Sequence, residues 1–289
     1  MWLLLAFLSA VFAGITAILA KIGIKNVNSN VATAIRTVVV LLFSWLMVFI
    51  VGSQGTITDI SQKTIVFLIL SGLSTGASWL CYFRALQLGD VNKVTPIDKS
   101  STVLTMLLAL IFLGESLTPY KIIGIILIAV GTYLMIEKKK QAVSGNAPKS
   151  RSYIIYAVFS AVFASLTSIF GKIGIEGVES NLGTALRTIV VLFMAWIIVF
   201  IQKKQSEIKH IDKRSWFFLI LSGFTTGGSW LCYYGALHDG DASLVVPIDK
   251  LSIVLTVAFS YFFLKEKLTK KSFAGLVLIV AGTLSLLIK

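Results

Sequence analysis

The sequence predicts an all-α integral membrane protein of ten transmembrane helices, arranged as two inverted five-helix repeats. Three observations carry this. Hydrophobic residues make up 56% of the chain and charged residues 13%, with a mean hydropathy of +0.89, so a soluble domain of this composition would lack the polar surface to cover itself. Apolar runs long enough to be read as bilayer spans recur from end to end. The chain also matches itself, without a gap, at a shift of 151 positions.

The runs begin near Trp2, Val31, Ile65, Val94 and Ile122, and again near Tyr153, Leu182, Trp216, Val245 and Phe273. None alternates residue by residue, which removes a membrane β-barrel. The first, "MWLLLAFLSAVFAG", has the apolar stretch of a secretory leader but no basic start, and its copy from Tyr153 lies mid-chain; it is expected to remain as a helix. The second and seventh runs each carry an arginine about one turn in, Arg36 and Arg187. The third and eighth carry Gly72 and Gly76, and Gly223 and Gly227, small residues at the spacing that lets membrane helices approach, with a hydroxyl stripe on another face. They are expected to pack through these glycines and turn the hydroxyls toward a shared cavity. The fourth and ninth open on "VTPIDKSS" and "VVPIDKLS" and end near "LGESLT" and "LKEKLT". Thr118 and Thr269 then cap the fifth and tenth, with Pro119 in a first turn.

Residues 1–137 form the first unit, 138–152 a basic linker and 153–289 the second; about 66 of the 138 paired positions are identical, which makes duplication the source of the fold. Five is an odd number, so a second copy entered through a short linker runs through the bilayer in the opposite sense. The charges follow. The connectors "QKKQSEIKHIDKRS" and "KEKLTKKS" are strongly basic while their first-copy equivalents carry one basic residue each, and Lys25, Asn28 and Lys93 become Glu176, Glu179 and Leu244. Placing both termini outside a cell membrane puts about 17 of the 26 basic residues on the cytoplasmic side.

Membrane orientation thus accounts for the net charge of +13, and no nucleic acid is expected. No Gly-rich phosphate loop precedes a Lys-Ser or Lys-Thr pair, so ATP is not consumed by the chain itself. Cys81 and Cys232 lie inside apolar runs, which disfavours a disulfide or a zinc site, and His210 and His238 have no ligand-like neighbours. No cofactor, metal or enzymatic role is expected. Membrane lipid is a partner by composition, and a second copy of the chain is left open.

The chemistry is expected where charge meets hydrocarbon. Aspartate costs about 2.5–3.5 kcal/mol at a helix centre and cannot snorkel, so Asp98 and Asp249 need compensation. A bland answer is the positive end of a helix that opens on proline. The sharper one pairs Arg36 with Asp98 and Arg187 with Asp249, and sets Lys99 and Lys250 beside them as charged collars at the two vestibules. Thr75, Ser78 and Tyr82, repeated as Thr226, Ser229 and Tyr233, line the route between, with Trp79 and Trp230 as walls. Lys21 and Lys172 are read as interfacial anchors. Arg84 against Gly235 is the conspicuous difference between copies.

The segments "YFRALQLGDVNKVTPI" and "YYGALHDGDASLVVPI", with "LGESLT" and "LKEKLT", resemble the EamA family of the drug/metabolite transporter superfamily, and the likeness covers almost the whole chain. It implies a central cavity lined by the first four helices of each half and a secondary carrier working by alternating access. Related small multidrug exporters use a first-helix glutamate for proton coupling; neither first helix here contains an acid. The vestibule charges favour a small anionic or zwitterionic metabolite, such as an amino acid, nucleoside or phosphorylated compound. An amphiphilic cation held by Trp79, Tyr82, Trp230 and Tyr233 is the alternative. A scaffold or lipid-handling protein that moves no soluble solute is the alternative of another class.

Overall fold

The computed structural model describes residues 1–24, 27–88, 97–98, 100–135, 152–264 and 269–288. Among these it is helical throughout: α1 (Trp2–Gly23), α2 (Ser29–Val51), α3 (Gln62–Leu88), α4 (Ser101–Phe112), α5 (Pro119–Met135), α6 (Ser152–Ile175), α7 (Ser180–Ile201), α8 (Lys213–Asp239), α9 (Ala242–Lys250), α10 (Ser252–Leu264) and α11 (Lys270–Ser285). Single 3-10 stretches lie at Ser53–Asp59 and Gln205–His210. Five helices, α1, α2, α3, α6 and α7, contain windows long and apolar enough to cross a membrane. The expected ninth span is divided: α9 contains Pro247 and ends at Lys250, where the Leu251 N–H turns back to the Ile248 oxygen, and α10 resumes at Ser252. The equivalent opening of the fourth span, including Pro96 and Lys99, and nearly all of the 138–152 linker lie outside the described residues.

Side chains start these helices at equivalent places. Asn28 accepts the N–H groups of Asn30 and Val31 at the head of α2, and Glu179 accepts those of Asn181 and Leu182 at the head of α7. A change from amide to carboxylate between copies therefore keeps the cap. Burial pushes the Glu179 carboxyl up, but the hydrogen bonds from Asn181 and Leu182 outweigh it and hold the group below the usual carboxylate range. Thr118 and Thr269 accept the N–H groups of Lys121 and Ser272 and cap α5 and α11.

The halves pack chiefly on each other. α1 lies on α8 and α3 on α6; α2 faces α7, α4 faces α9, and α5 packs on α11. Under the 151-residue shift α1·α8 exchanges with α3·α6, and α2·α7 and α5·α11 each map onto themselves, which is the contact pattern of a two-fold axis. Glycines permit the closest approaches. A Cβ on Gly72 would lie 2.7 Å from the Val190 Cβ, and one on Gly223 would lie 2.6 Å from the Val39 Cβ, its counterpart under the shift. The expectation that α3 packs on α8 through these residues is corrected: the glycines of α3 receive α7, and those of α8 receive α2.

The outside of the bundle is apolar. Leu42, Ile50, Phe193 and Ile201 are two-thirds exposed, whereas Ser9, Ser71, Ser160, Thr184, Thr188 and Ser222 are fully buried. Water would oppose that arrangement, and lipid favours it.

Candidate functional site

α7 brings Arg187 to the centre of the molecule, 2% exposed. Its Nε donates to Ser71 Oγ at 2.8 Å and its Nη2 to Thr75 Oγ1 at 2.6 Å, both on α3. The guanidinium also lies over the Trp230 and Tyr234 rings, 5.2 and 4.8 Å from their centroids. Hydrogen bonds from a charged donor contribute about 1.5–3 kcal/mol each, and a ring face about 0.5–2, enough together to offset the few kcal/mol that burial in hydrocarbon costs. Arg187 is therefore stable inside without a carboxylate. Its Nη1 is buried and has no hydrogen-bond partner.

Arg36 is its counterpart on α2. Its Nη2 donates to Thr226 Oγ1 at 2.7 Å, on α8, while its Nε is buried and unpartnered. The accepting hydroxyls are held in place by their own helices: Thr75 donates to the Ser71 carbonyl and Thr226 to the Ser222 carbonyl. Their hydrogens are committed to backbone, so each oxygen turns a lone pair to the guanidinium. The expected Arg36–Asp98 and Arg187–Asp249 pairs are not what forms; each arginine reaches across to the hydroxyls of the other half instead.

The aspartates are met by serines. Ser9 Oγ of α1 donates to Asp249 Oδ1 at 2.6 Å, and Ser160 Oγ of α6 donates to Asp98 Oδ1 at 2.7 Å. Ser229 Oγ bonds the Ser9 carbonyl, and Ser78 Oγ the Ser160 carbonyl. Asp249 Oδ2 also lies 3.3 Å from the Lys250 ammonium, so that part of the collar forms within α9. Lys99 and the Lys21 side chain lie outside the described residues. Lys172, in the last turn of α6, is largely buried: it donates to the His238 carbonyl and pairs with Glu176 at 3.0 Å.

Two cavities open between these groups. One, of about 370 Å³, is lined by Thr75, Ser78, Arg187, Tyr233, Asp249 and Lys250 among others. The second, of about 320 Å³, is lined by Thr16, Thr33, Arg36, Thr37, Val40 and Thr226. Ala13, Trp79, Ser229 and Trp230 belong to both walls. The structure thus places Arg36, Arg187, Thr75, Ser78, Thr226, Ser229, Tyr233 and both tryptophans on these two walls. Tyr82 goes elsewhere, packing with Ala85, Ala157 and Tyr153, and Asp98 lines neither cavity.

A network absent from the sequence reading lies at the other end of α9. The Glu115 carboxylate accepts the N–H groups of Ala242 and Ser243, and the nearly buried Lys121 ammonium lies 3.8 Å from Glu115 and 3.3 Å from Asp241. Glu115 is thus a helix-end residue, but for α9 of the other half. One signal was available. Lys121 stands in the first turn of α5, where the macrodipole disfavours a cation, so it needs acids nearby; its counterpart is Ser272.

An apolar exterior, two interlocked halves and a polar interior with buried arginines define a helical membrane protein with an internal solute-sized site. The chain belongs to the EamA-like transporter family, whose family model matches residues 1–137 and 151–288. It is a membrane transporter. An uncharacterised transporter of Archaeoglobus fulgidus is 24% identical over 286 residues, covering 99% of this chain and 98% of its own. One from a Sinorhizobium species is 46% identical over 134 residues, 46% of this chain and 95% of that protein, so the match is about one repeat long. One crystal structure superposes with a TM-score of 0.78 at 17% identity, over 99% of this chain and 96% of the other, a likeness of fold.

Proposed function

We propose that the protein is a secondary carrier for a small anionic or zwitterionic metabolite, of the amino-acid, nucleoside or phosphorylated class. Ten spans form two halves inverted in the bilayer, both termini outside, and these rock about the arginine-lined interior. The observation that carries the substrate reading is Arg187. It lies on a cavity within the usual size range of small-molecule sites, satisfied by hydroxyls and rings while one guanidinium nitrogen has no acceptor. A carboxylate or phosphate in that cavity would meet the positive charge Arg187 brings to its wall. Asp249 and Lys250 then offer a second, polar end to the same cavity.

The amphiphilic-cation alternative needs open ring faces, yet Trp230 and Tyr234 already carry the Arg187 guanidinium. A cation there meets a like charge. The test is flux into proteoliposomes of a panel graded from monoanion through zwitterion to cation at constant size. Saturable uptake of anions or zwitterions, lost in Arg187→Gln, supports the reading. Preference for cations would replace it with the exporter reading, and absence of flux for every compound would favour a scaffold or lipid-handling role.

A further inference from the structure

We propose that the protein holds two anion-binding stations, one at each arginine, which a solute visits in turn across the Trp79–Trp230 pair, rather than one site at the midplane. The hand-over rests on the carrier reading; the existence of the second station does not.

Charge carries the argument. On the wall of the larger cavity Asp249 and Lys250 cancel, which leaves the positive charge of Arg187 in excess. Among the described residues on the wall of the smaller one, Arg36 is the sole ionisable group and no acid stands beside it. Hydroxyls and rings hold the buried guanidinium but carry no charge, so each cavity keeps an excess positive charge that attracts an anion from outside the chain. The two arginines stand on different cavities, which adjoin at Ala13, Trp79, Ser229 and Trp230. Arg187 lines only the first cavity and Arg36 only the second.

Chemistry agrees at both places. Each guanidinium is oriented by a threonine hydroxyl of the opposite half, at 2.6 Å for Thr75 and 2.7 Å for Thr226, and each keeps a buried nitrogen without a partner. The residues common to both walls are two rings, a serine and an alanine, none of them charged, so they divide the stations without attracting the anion themselves. The stations are not equal. Trp230 and Tyr234 lie against Arg187, whereas among the described residues no ring lies over Arg36. With its charge less shared, Arg36 is expected to bind the anion more tightly.

The test counts ligands rather than flux, so it does not depend on transport. Radiolabelled inorganic phosphate is dialysed to saturation against the purified full-length protein in detergent. Two phosphates per chain are expected, falling to one in Arg36→Gln, to one in Arg187→Gln and to none in the double variant. One phosphate or none per unaltered chain overturns the proposal, as does a count of two that survives Arg36→Gln. The unaltered protein decides between one and two even if a variant does not fold, and liposome flux tests the carrier reading separately.

Discussion

Arg187 and Asp249 belong to one cavity but serve it differently, and substitution separates them. Arg187→Lys keeps the charge and loses the planar fork that reaches Ser71 and Thr75 together, so uptake should fall by about tenfold or more while the protein stays folded, a change of roughly 1.4 kcal/mol or more at the binding step. Unaltered uptake kinetics would remove the fork from the mechanism. Asp249→Asn leaves Lys250 without its counter-charge, and Asp98→Asn weakens the acceptor of Ser160. Both should disturb transport more than folding; normal uptake in both would show that the aspartates serve only as structure. The arginines, tryptophans and hydroxyls were legible because intramembrane charge and helical spacing point to them directly. Their partners were not. Shared membrane side suggested Asp98 for Arg36, but helices that cross between halves place Thr226 nearer, and spacing within one helix carries no information about a partner 190 positions away.

At the scale of elements, the joints between halves are tight enough to test by volume. Gly72→Ala and Gly223→Ala each set a methyl within 2.7 Å of a valine Cβ, and a cost of about 1–3 kcal/mol is expected for such overpacking. A lowered melting temperature in detergent checks it, and no loss would mean that α7 and α2 give way. Glu115 joins α4's end to the head of α9, and Glu115→Gln removes one of the two acids beside the buried Lys121 while Asp241 remains at 3.3 Å, so a cost of about 1–2 kcal/mol is expected, with partial recovery in Glu115→Gln/Lys121→Met. Equal melting of single and double variants would contradict the pairing. The Glu179 cap adds a pH signature. Its carboxyl titrates lower folded than unfolded, so its contribution is complete above the unfolded value of about 4.3 and fades as pH falls through the folded one. The melting difference between the unaltered protein and Glu179→Gln should therefore shrink in acid, and a difference constant with pH would refute it. Caps at Thr118 and Thr269 were readable because capping is local. The break at Leu251 was not, since a single apolar run reads as one helix.

For the whole molecule, repetition at a constant shift made the architecture legible. Equivalent contacts recur under that shift, from the glycine joints to the serine–aspartate bonds, and a two-fold relation follows from them. The proposed inversion of the halves in the bilayer rests on the odd count of expected spans and the reversal of basic connectors. Single cysteines at Lys25 and Glu176, introduced after Cys81 and Cys232 are replaced, test it in whole cells with an impermeant thiol reagent. Labelling is predicted for Glu176→Cys from outside and for Lys25→Cys only after the membrane is opened. Labelling of both from the same side would contradict the opposed halves on which the carrier account stands.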